Sequence, residues 1–118
     1  MILVDTSIWI DHLNKSHPEL VHYLNNGIVC THPFIIGELA CGNIINRTEV
    51  MTLLKALPCL DTVLESEVLM LLESQQLYGR GLGYIDIHLI ATALINNVKL
   101  WTRDKTLNSI ARKLNISK

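Results

Sequence analysis

The chain opens with Ile2-Leu3-Val4-Asp5-Thr6-Ser7, in which an unbroken apolar run is followed at once by three polar residues. A short apolar run of this kind is typical of a buried strand, and Asp, Thr and Ser are residues that commonly begin helices. The apolar residues between Ile8 and Leu13 then indicate a helix. A strand that leads directly into a helix is the beginning of an α/β fold.

The same alternation of strand and helix patterns continues to the end of the chain. Further strands are predicted at Ile28–Cys30, at Val98–Trp101 and, with a weaker pattern, at Leu60–Leu64. Helices are predicted from a Ser16-x-x-Glu19 capping box to Asn26, and over Thr31–Cys41, Arg47–Leu57, Glu65–Tyr78, Tyr84–Asn96 and Lys105–Leu114. The pattern therefore predicts a single α/β domain over residues 1–118, with three α/β/α layers and a short, mostly parallel central sheet.

Composition limits the classes of function. With 118 residues, 49% hydrophobic content and a net charge of −1, the chain is expected to fold as one soluble domain, without the basic surface of a general DNA-coating or membrane-surface protein. Any contact with nucleic acid must be local. The most apolar window, Tyr84 to Ile95, contains Asp86 and His88 and is too short to span a membrane. Without a recognisable signal peptide, the expected location is the cytoplasm.

The three cysteines are Cys30, Cys41 and Cys59, an odd number with no close pair. This arrangement disfavours both a disulfide framework and a thiolate metal cluster. Because their neighbours are mostly apolar, we expect three buried thiols in a reducing compartment.

Four carboxylates stand in apolar surroundings, whereas most other acidic residues fit solvated helix faces. They are Asp5, Glu38, Asp86 and Asp104. A buried carboxylate must be protonated, paired with a cation or bound to a metal, because an isolated buried anion is too unfavourable to persist. No basic residue lies near Asp5 or Glu38 in the sequence. A divalent cation is therefore the simplest partner.

The expected strand ends support a shared site. Asp5 and Asp104 follow two predicted strands, and functional groups of open parallel sheets gather outside the carboxyl ends of the strands. Carboxylate oxygens favour Mg²⁺ or Mn²⁺ over zinc. Such an ion activates water and neutralises charge on a phosphodiester, so the site predicts metal-dependent hydrolysis.

Simpler interpretations stand beside this one. Asp5 and Asp104 could each do no more than cap the helix that follows, and Ser7 is a better cap than nucleophile. The histidines show no zinc-ligand spacing; they are His12, His17, His22, His32 and His88. The glycines of residues 79–83 follow a helix rather than a strand, so we expect a hinge there and not a phosphate-binding loop.

Four motifs together resemble the VapC toxin group of PIN-domain proteins. In chain order they are Asp5-Thr6-Ser7-Ile8-Trp9-Ile10-Asp11, Gly37-Glu38-Leu39, Gly83-Tyr84-Ile85-Asp86-Ile87-His88-Leu89-Ile90-Ala91 and Leu100-Trp101-Thr102-Arg103-Asp104. The resemblance covers the whole chain and implies a PIN-like fold. It also implies a Mg²⁺- or Mn²⁺-dependent endoribonuclease, the toxin of a type II toxin–antitoxin pair, with structured RNA such as tRNA as a frequent target. A small VapB-like antitoxin and a homodimer are the partners that it implies.

By position, the resemblance places the metal-binding and catalytic carboxylates at Asp5, Glu38, Asp86 and Asp104. The polar residues that support them would be Thr6, Ser7 and Thr102. Many relatives have further acidic or Asn residues near the last acid, whereas Arg103 and Lys105 surround Asp104 here. Together with Arg80, these two cations are candidates for contact with RNA phosphates.

Two other classes of protein remain as alternatives. A receiver-type signalling domain has a similar length and a Mg²⁺ pocket, but it has an acidic pair after its first strand, where Asp5 stands alone. A haloacid-type phosphatase is not a further alternative, because it has Asp-x-Asp there and position 7 is Ser. A binding module that kept the fold and lost catalysis is the second alternative, and metal titration distinguishes it from an enzyme.

Overall fold

The computed structural model describes residues 1–118 and has three strands and seven helices. The strands are β1 (Ile2–Val4), β2 (Val29–Cys30) and β3 (Lys99–Trp101). The helices are α1 (Thr6–Asn14), α2 (Pro18–Asn25), α3 (Pro33–Ala40), α4 (Arg47–Ala56), α5 (Glu65–Ser74), α6 (Tyr84–Asn96) and α7 (Lys105–Lys113). Strand and helix alternate as the sequence predicts, in a three-layer α/β/α arrangement.

The sheet has the order β2-β1-β3, and every pair is parallel. Leu3 of the central strand pairs with Cys30 on one side and Leu100 on the other. Parallel neighbours require long crossover connections, which the helices provide. The carboxyl ends of β1 and β3 therefore lie side by side, with Asp5 directly after one and Thr102 directly after the other.

The core explains why such short strands suffice. All three residues of β1 are buried, and so is nearly the whole middle of α6, from Ile87 to Ala93. The predicted apolar helix at Tyr84–Asn96 is thus confirmed. None of the helices has the length and apolarity that crossing a membrane requires.

The predicted strand at Leu60–Leu64 is wrong. Only Cys59 makes a bridge, with Thr31 beside β2, and the amide of Leu60 donates to the carbonyl of Thr31 at 2.9 Å. Pro58 offers no N–H on one side of this bridge, and α5 begins at Glu65 on the other. The pairing therefore does not extend into a strand.

Other local predictions also change. The Ser16 capping box does not form, because α2 begins one residue later, with His17 as its N-cap and Pro18 as its first residue. α5 ends at Ser74, four residues before the predicted end at Tyr78. Of the cysteines, Cys30 is buried, but Cys41 and Cys59 are exposed, because one lies at the end of α3 and the other at the edge of the sheet.

A buried histidine begins α3. His32 is fully buried, and its Nδ1 accepts a hydrogen bond from the amide of Phe34 at 2.9 Å. Its Nε2 has no hydrogen-bond partner. Burial, with a smaller contribution from His88, lowers the pKa of His32 from its ordinary value of 6.5 to about 4. The ring is therefore neutral in the folded protein at neutral pH.

This histidine predicts a loss of stability in mild acid. As pH falls below 6.5 the unfolded chain gains a proton at His32 that the folded chain does not take up until about 4. Asn at this position still caps a helix but has no such proton. We expect the free energy of unfolding to fall by roughly 2 kcal/mol more between pH 7 and pH 5 in the wild type than in His32→Asn.

Urea unfolding at the two pH values measures this difference. His22→Asn is the matched control, since it makes the same substitution at an exposed histidine. If His32→Asn follows the wild-type pH dependence, the buried ring is not the cause.

Candidate metal centre

The four predicted carboxylates line one cavity at the carboxyl edge of the sheet. The cavity has a volume of about 460 Å³ and is lined by Asp5, Thr6, Ser7, Glu38, Gly83, Tyr84, Ile85, Asp86 and Asp104. No Lys, Arg or His is among these residues. The structure thus brings together four acids that are up to 99 positions apart in the sequence.

Asp5 is the buried member of the group and is held by hydroxyl groups. Its Oδ2 accepts hydrogen bonds from Ser7 Oγ at 2.8 Å and from Thr102 Oγ1 at 2.7 Å. Thr6 Oγ1 lies 3.4 Å from the other oxygen, Oδ1. These bonds orient the carboxylate and compensate part of its desolvation. The three predicted supporting residues therefore do surround Asp5.

The same hydroxyl groups connect Asp5 to the segment that carries the last acid. Thr102 Oγ1 accepts a hydrogen bond from the amide of Asp104 at 3.0 Å, and Ser7 Oγ accepts one from the amide of Arg103, also at 3.0 Å. Asp104 Oδ1 in turn accepts the amide of Leu107 at 2.8 Å, which caps α7. Asp104 is thus a helix cap, as one of the simpler interpretations expected.

The expected capping by Asp5 and Ser7 is wrong. Asp5 stands at the N-cap position of α1, but its side chain makes no capping hydrogen bond. Ser7 Oγ is bonded to Asp5 and to the amide of Arg103 instead. Both side chains line the cavity. Their hydrogen-bond partners after β3 are Thr102 for Asp5 and the amide of Arg103 for Ser7, and these replace the amides of α1.

Asp86 is held by the start of its own helix. Its Oδ2 accepts the amide of Gly83 at 3.0 Å across the first turn of α6. The loop before it turns through Gly79 and Gly81, which have φ of +69° and +81°, a region that residues with a side chain rarely adopt. The glycine loop therefore places the N-terminus of α6, and with it Asp86, at the cavity.

Glu38 reaches the cavity from the last part of α3 and is the most loosely held of the four acids. It is exposed and accepts no hydrogen bond from another side chain. Although much of the Glu38 side chain is exposed, partial desolvation of its carboxyl at the cavity wall raises the pKa of Glu38, and the charges of Asp5 and Asp86 raise it further. Burial also raises the pKa of Asp86, and repulsion from Asp5 and Asp104 raises it further, whereas the hydrogen bond from the amide of Gly83 lowers it. Neighbouring carboxylates therefore disfavour the ionisation of Glu38 and of Asp86.

The donor chemistry of the cavity suits a hard divalent cation, although its acids do not form a preformed ligand set. Repelling carboxylates that share a cavity with no basic side chain are stabilised either by protonation or by a positive charge from elsewhere. The acids line the cavity without converging into a closed ligand set of three or more. An open set of oxygen donors suits an ion that keeps several of its waters, as Mg²⁺ does.

The predicted RNA-contacting residues lie in two places. Arg80 and Lys105 line one groove together with Lys113, a residue that sequence reasoning missed. The signal was present, since Lys105 and Lys113 are eight positions apart and share a helix face. Arg103 lies elsewhere, with its guanidinium 2.6 Å from a carboxylate oxygen of Asp11. Asp11, expected to be an ordinary surface acid, is the partner of that arginine.

Comparison with known proteins identifies a family and relatives that this chain resembles. Residues 2–113 match the family model of the PIN domain. The chain is 44% identical to Ribonuclease VapC32 of Mycobacterium tuberculosis, in strain CDC 1551 / Oshkosh and in strain ATCC 25618 / H37Rv. The 110 aligned residues are 92% of this chain and 89% of each relative.

A solved structure shares the fold. The crystal structure of PAE2754 from Pyrobaculum aerophilum superposes with a TM-score of 0.65 at 17% identity, covering 92% of this chain and 82% of that one. At this identity the likeness concerns the fold alone. The family match and the 44% identity together show that the chain belongs to the PIN-domain family, in its VapC group.

Proposed function

We propose that this protein is an endoribonuclease that depends on Mg²⁺ or Mn²⁺ and acts as the toxin of a type II toxin–antitoxin pair. The observation that carries the proposal is the cavity shared by Asp5, Glu38, Asp86 and Asp104 without any basic side chain. The names of the VapC32 relatives, which call them ribonucleases, support RNA as the substrate. We propose these four acids as both the metal ligands and the catalytic carboxylates.

The residues of the cavity have different tasks in this mechanism. A divalent ion held by these carboxylates would lower the pKa of a water molecule and would neutralise negative charge on the phosphodiester. Ser7 and Thr102 hold the carboxylate of Asp5 in one orientation, and the amide of Gly83 does the same for Asp86. Glu38 has no such hydrogen bonds, so its carboxylate would be free to reorient when an ion binds.

The same family relation supports a proposal on the RNA target and on the compartment. We propose structured RNA, tRNA included, as the substrate class, and the cytoplasm as the compartment in which such RNA is met. We propose that residues 1–118 form one functional domain, since the acids come from the residue after β1, from α3 and α6, and from the N-cap of α7.

A VapB-like antitoxin is the proposed protein partner. A cleft of about 310 Å³ beside α1 and the end of α3 is lined by apolar side chains such as Ile10 and Ile44 and also by Asn14 and Asn43, and it reaches Glu38 of the acidic cavity. A partner seated there could place a cation against the acids, which electrostatic complementarity favours. A homodimer is also proposed, and the exposed side chains of Leu69 and Met70 on α5 offer apolar surface for it.

Removal of one acid tests the nuclease. We expect Asp86→Asn to lower the rate of RNA cleavage by about two orders of magnitude or more, because one proposed ligand loses its charge while its shape is kept. The measurement compares cleavage of total cellular RNA by both proteins with Mg²⁺ or Mn²⁺ and then with EDTA. Asp61→Asn, the same change at an exposed loop residue, should cleave like the wild type.

Two results would contradict the proposal. RNA that stays intact with the wild-type protein and every metal would favour a binding module that lost catalysis. Cleavage that persists in EDTA would contradict the metal-dependent mechanism.

The repulsion among the acids gives a second test, on stability. The pKa of Glu38 is raised in the folded state above its ordinary value of 4.5. Ionisation of Glu38 therefore destabilises the metal-free folded protein as the pH rises from 4.5 toward 7. We expect metal-free Glu38→Gln to be at least as stable as the wild type at pH 7.

The metal should reverse that order. At about a hundred times its dissociation constant, Mg²⁺ stabilises a protein with one site by about 2.7 kcal/mol, and we expect a smaller gain in Glu38→Gln. Thermal unfolding with and without Mg²⁺ measures both effects, with Glu73→Gln, an exposed acid on α5, as the control. An equal gain in all three proteins would show that Glu38 takes no part in the site.

A further inference from the structure

The positive charge of the chain is concentrated near its end. Six of the ten Lys and Arg residues lie between positions 99 and 118, where Asp104 is the only acid. The near-neutral net charge of the whole chain conceals this concentration. A local basic surface therefore exists close to the acidic cavity.

Three of these six cations are already engaged within the protein. Lys99 Nζ donates to the carbonyl of Asn115 at 3.0 Å, Arg103 pairs with Asp11, and Lys118 pairs with Glu19. The other three are Lys105, Arg112 and Lys113, all on α7 and all exposed, with no hydrogen-bond or ion-pair partner.

Two of the unpaired lysines line a groove with Arg80. The groove has a volume of about 410 Å³ and is lined by Arg80, Lys105, Thr106, Ser109, Ile110 and Lys113. Lys105, Ser109 and Lys113 follow one another at four-residue steps, so they form a stripe along one face of α7. Arg80 stands opposite, its Nε donating to the carbonyl of Gln76 at 2.9 Å. The groove thus contains three cations, two hydroxyl groups and no acid.

This basic groove adjoins the acidic cavity. Asp104 lines the cavity, and the next residue, Lys105, lines the groove. The glycine loop contributes Gly83 to the cavity and Arg80 to the groove. The loop also lies close to α7, since a side chain at Gly81 would come within 4.0 Å of Thr106 Cγ2. Two sites of opposite charge therefore share the same two segments.

We propose that the basic groove binds backbone phosphates of the RNA next to the bond that is cleaved. This inference rests on the proposed nuclease function. Four carboxylates repel an approaching RNA, so cations outside the cavity must supply attraction and hold the strand in register. Lysine, arginine and hydroxyl groups are common ligands of phosphate oxygens.

The lining favours RNA over an acidic protein as the occupant. Ile110 is its only apolar residue, whereas protein interfaces have an apolar or aromatic core that excludes water. A groove of charges and hydroxyl groups instead suits a hydrated, regularly charged backbone. Contacts of this kind carry no base specificity, so the groove sets affinity and register rather than sequence preference.

The dependence of binding on salt tests the proposal. The probe is a fluorescein-labelled single-stranded oligoribonucleotide of mixed sequence, and its affinity is measured by anisotropy in EDTA at several KCl concentrations. Each phosphate contact with single-stranded nucleic acid contributes about −0.7 to the slope of log K against log [salt]. We expect Arg80→Gln, Lys105→Gln and Lys113→Gln each to weaken binding several-fold and to make the slope shallower by about 0.7.

Two controls separate the groove from general charge. Arg112→Gln removes an unpaired cation from the same helix but outside the groove, and Lys55→Gln removes an exposed cation from α4. Both should keep nearly the wild-type slope. If all five variants lose the same affinity and slope, only net charge matters and the proposed groove is wrong.

Cleavage kinetics distinguish failure of the groove from failure of the nuclease. With metal present, the groove variants should raise KM far more than they lower kcat, whereas Asp86→Asn should lower kcat. If the wild-type enzyme cleaves RNA but the groove variants keep its KM and its salt slope, the proposed role of the groove is wrong and the nuclease proposal stands. Variants that lose affinity for polyglutamate but keep the wild-type KM for RNA would overturn it too and identify an acidic protein as the occupant.

Discussion

The hydrogen bond from Thr102 Oγ1 to Asp5 Oδ2, at 2.7 Å, joins the ends of two strands that are 97 residues apart in the chain. It can form because β1 and β3 are parallel neighbours and end at the same edge of the sheet. The same hydroxyl accepts the amide of Asp104, so one threonine positions both the first and the last acid. Displacement of β3 would therefore disturb the carboxylates and the start of α7 together.

Local stability is sacrificed at this edge. Three hydroxyl groups compensate the burial of Asp5, whereas desolvation and repulsion by neighbouring carboxylates raise the pKa of Glu38 and of Asp86, and no basic side chain of the cavity offsets these effects. A protein selected only for stability would have a lysine or an amide there. Strain of this kind is typical of functional sites, where charge is arranged for a ligand rather than for the fold. In the function proposed here, a divalent ion relieves the repulsion.

The surface next to the cavity has the opposite charge. Arg80 and the stripe of Lys105, Ser109 and Lys113 have no acid among them, while Arg103, nearer in sequence to the acids than Lys113, is paired with Asp11. The separation is sharp because Asp104 and Lys105 are adjacent residues at the start of a helix, where successive side chains point to different sides. In the proposed nuclease, the cations bind a polyanion and the acids bind the ion that acts on it.

The sequence by itself determined the fold class, because apolar runs and helical spacing are local signals, and it identified the four acids, because each interrupts an apolar segment. Helix ends such as Ser74, and the single bridge at Cys59 in place of a strand, depended on tertiary contacts and were predicted wrongly. Only the tertiary structure decided which polar groups come together: Thr102 bonds to Asp5, Arg103 pairs with Asp11, and Lys113 lines the same groove as Arg80. Such contacts depend on how strands and helices from distant parts of the chain pack together. The periodicity of the sequence reports only local structure and does not show which distant segments are neighbours.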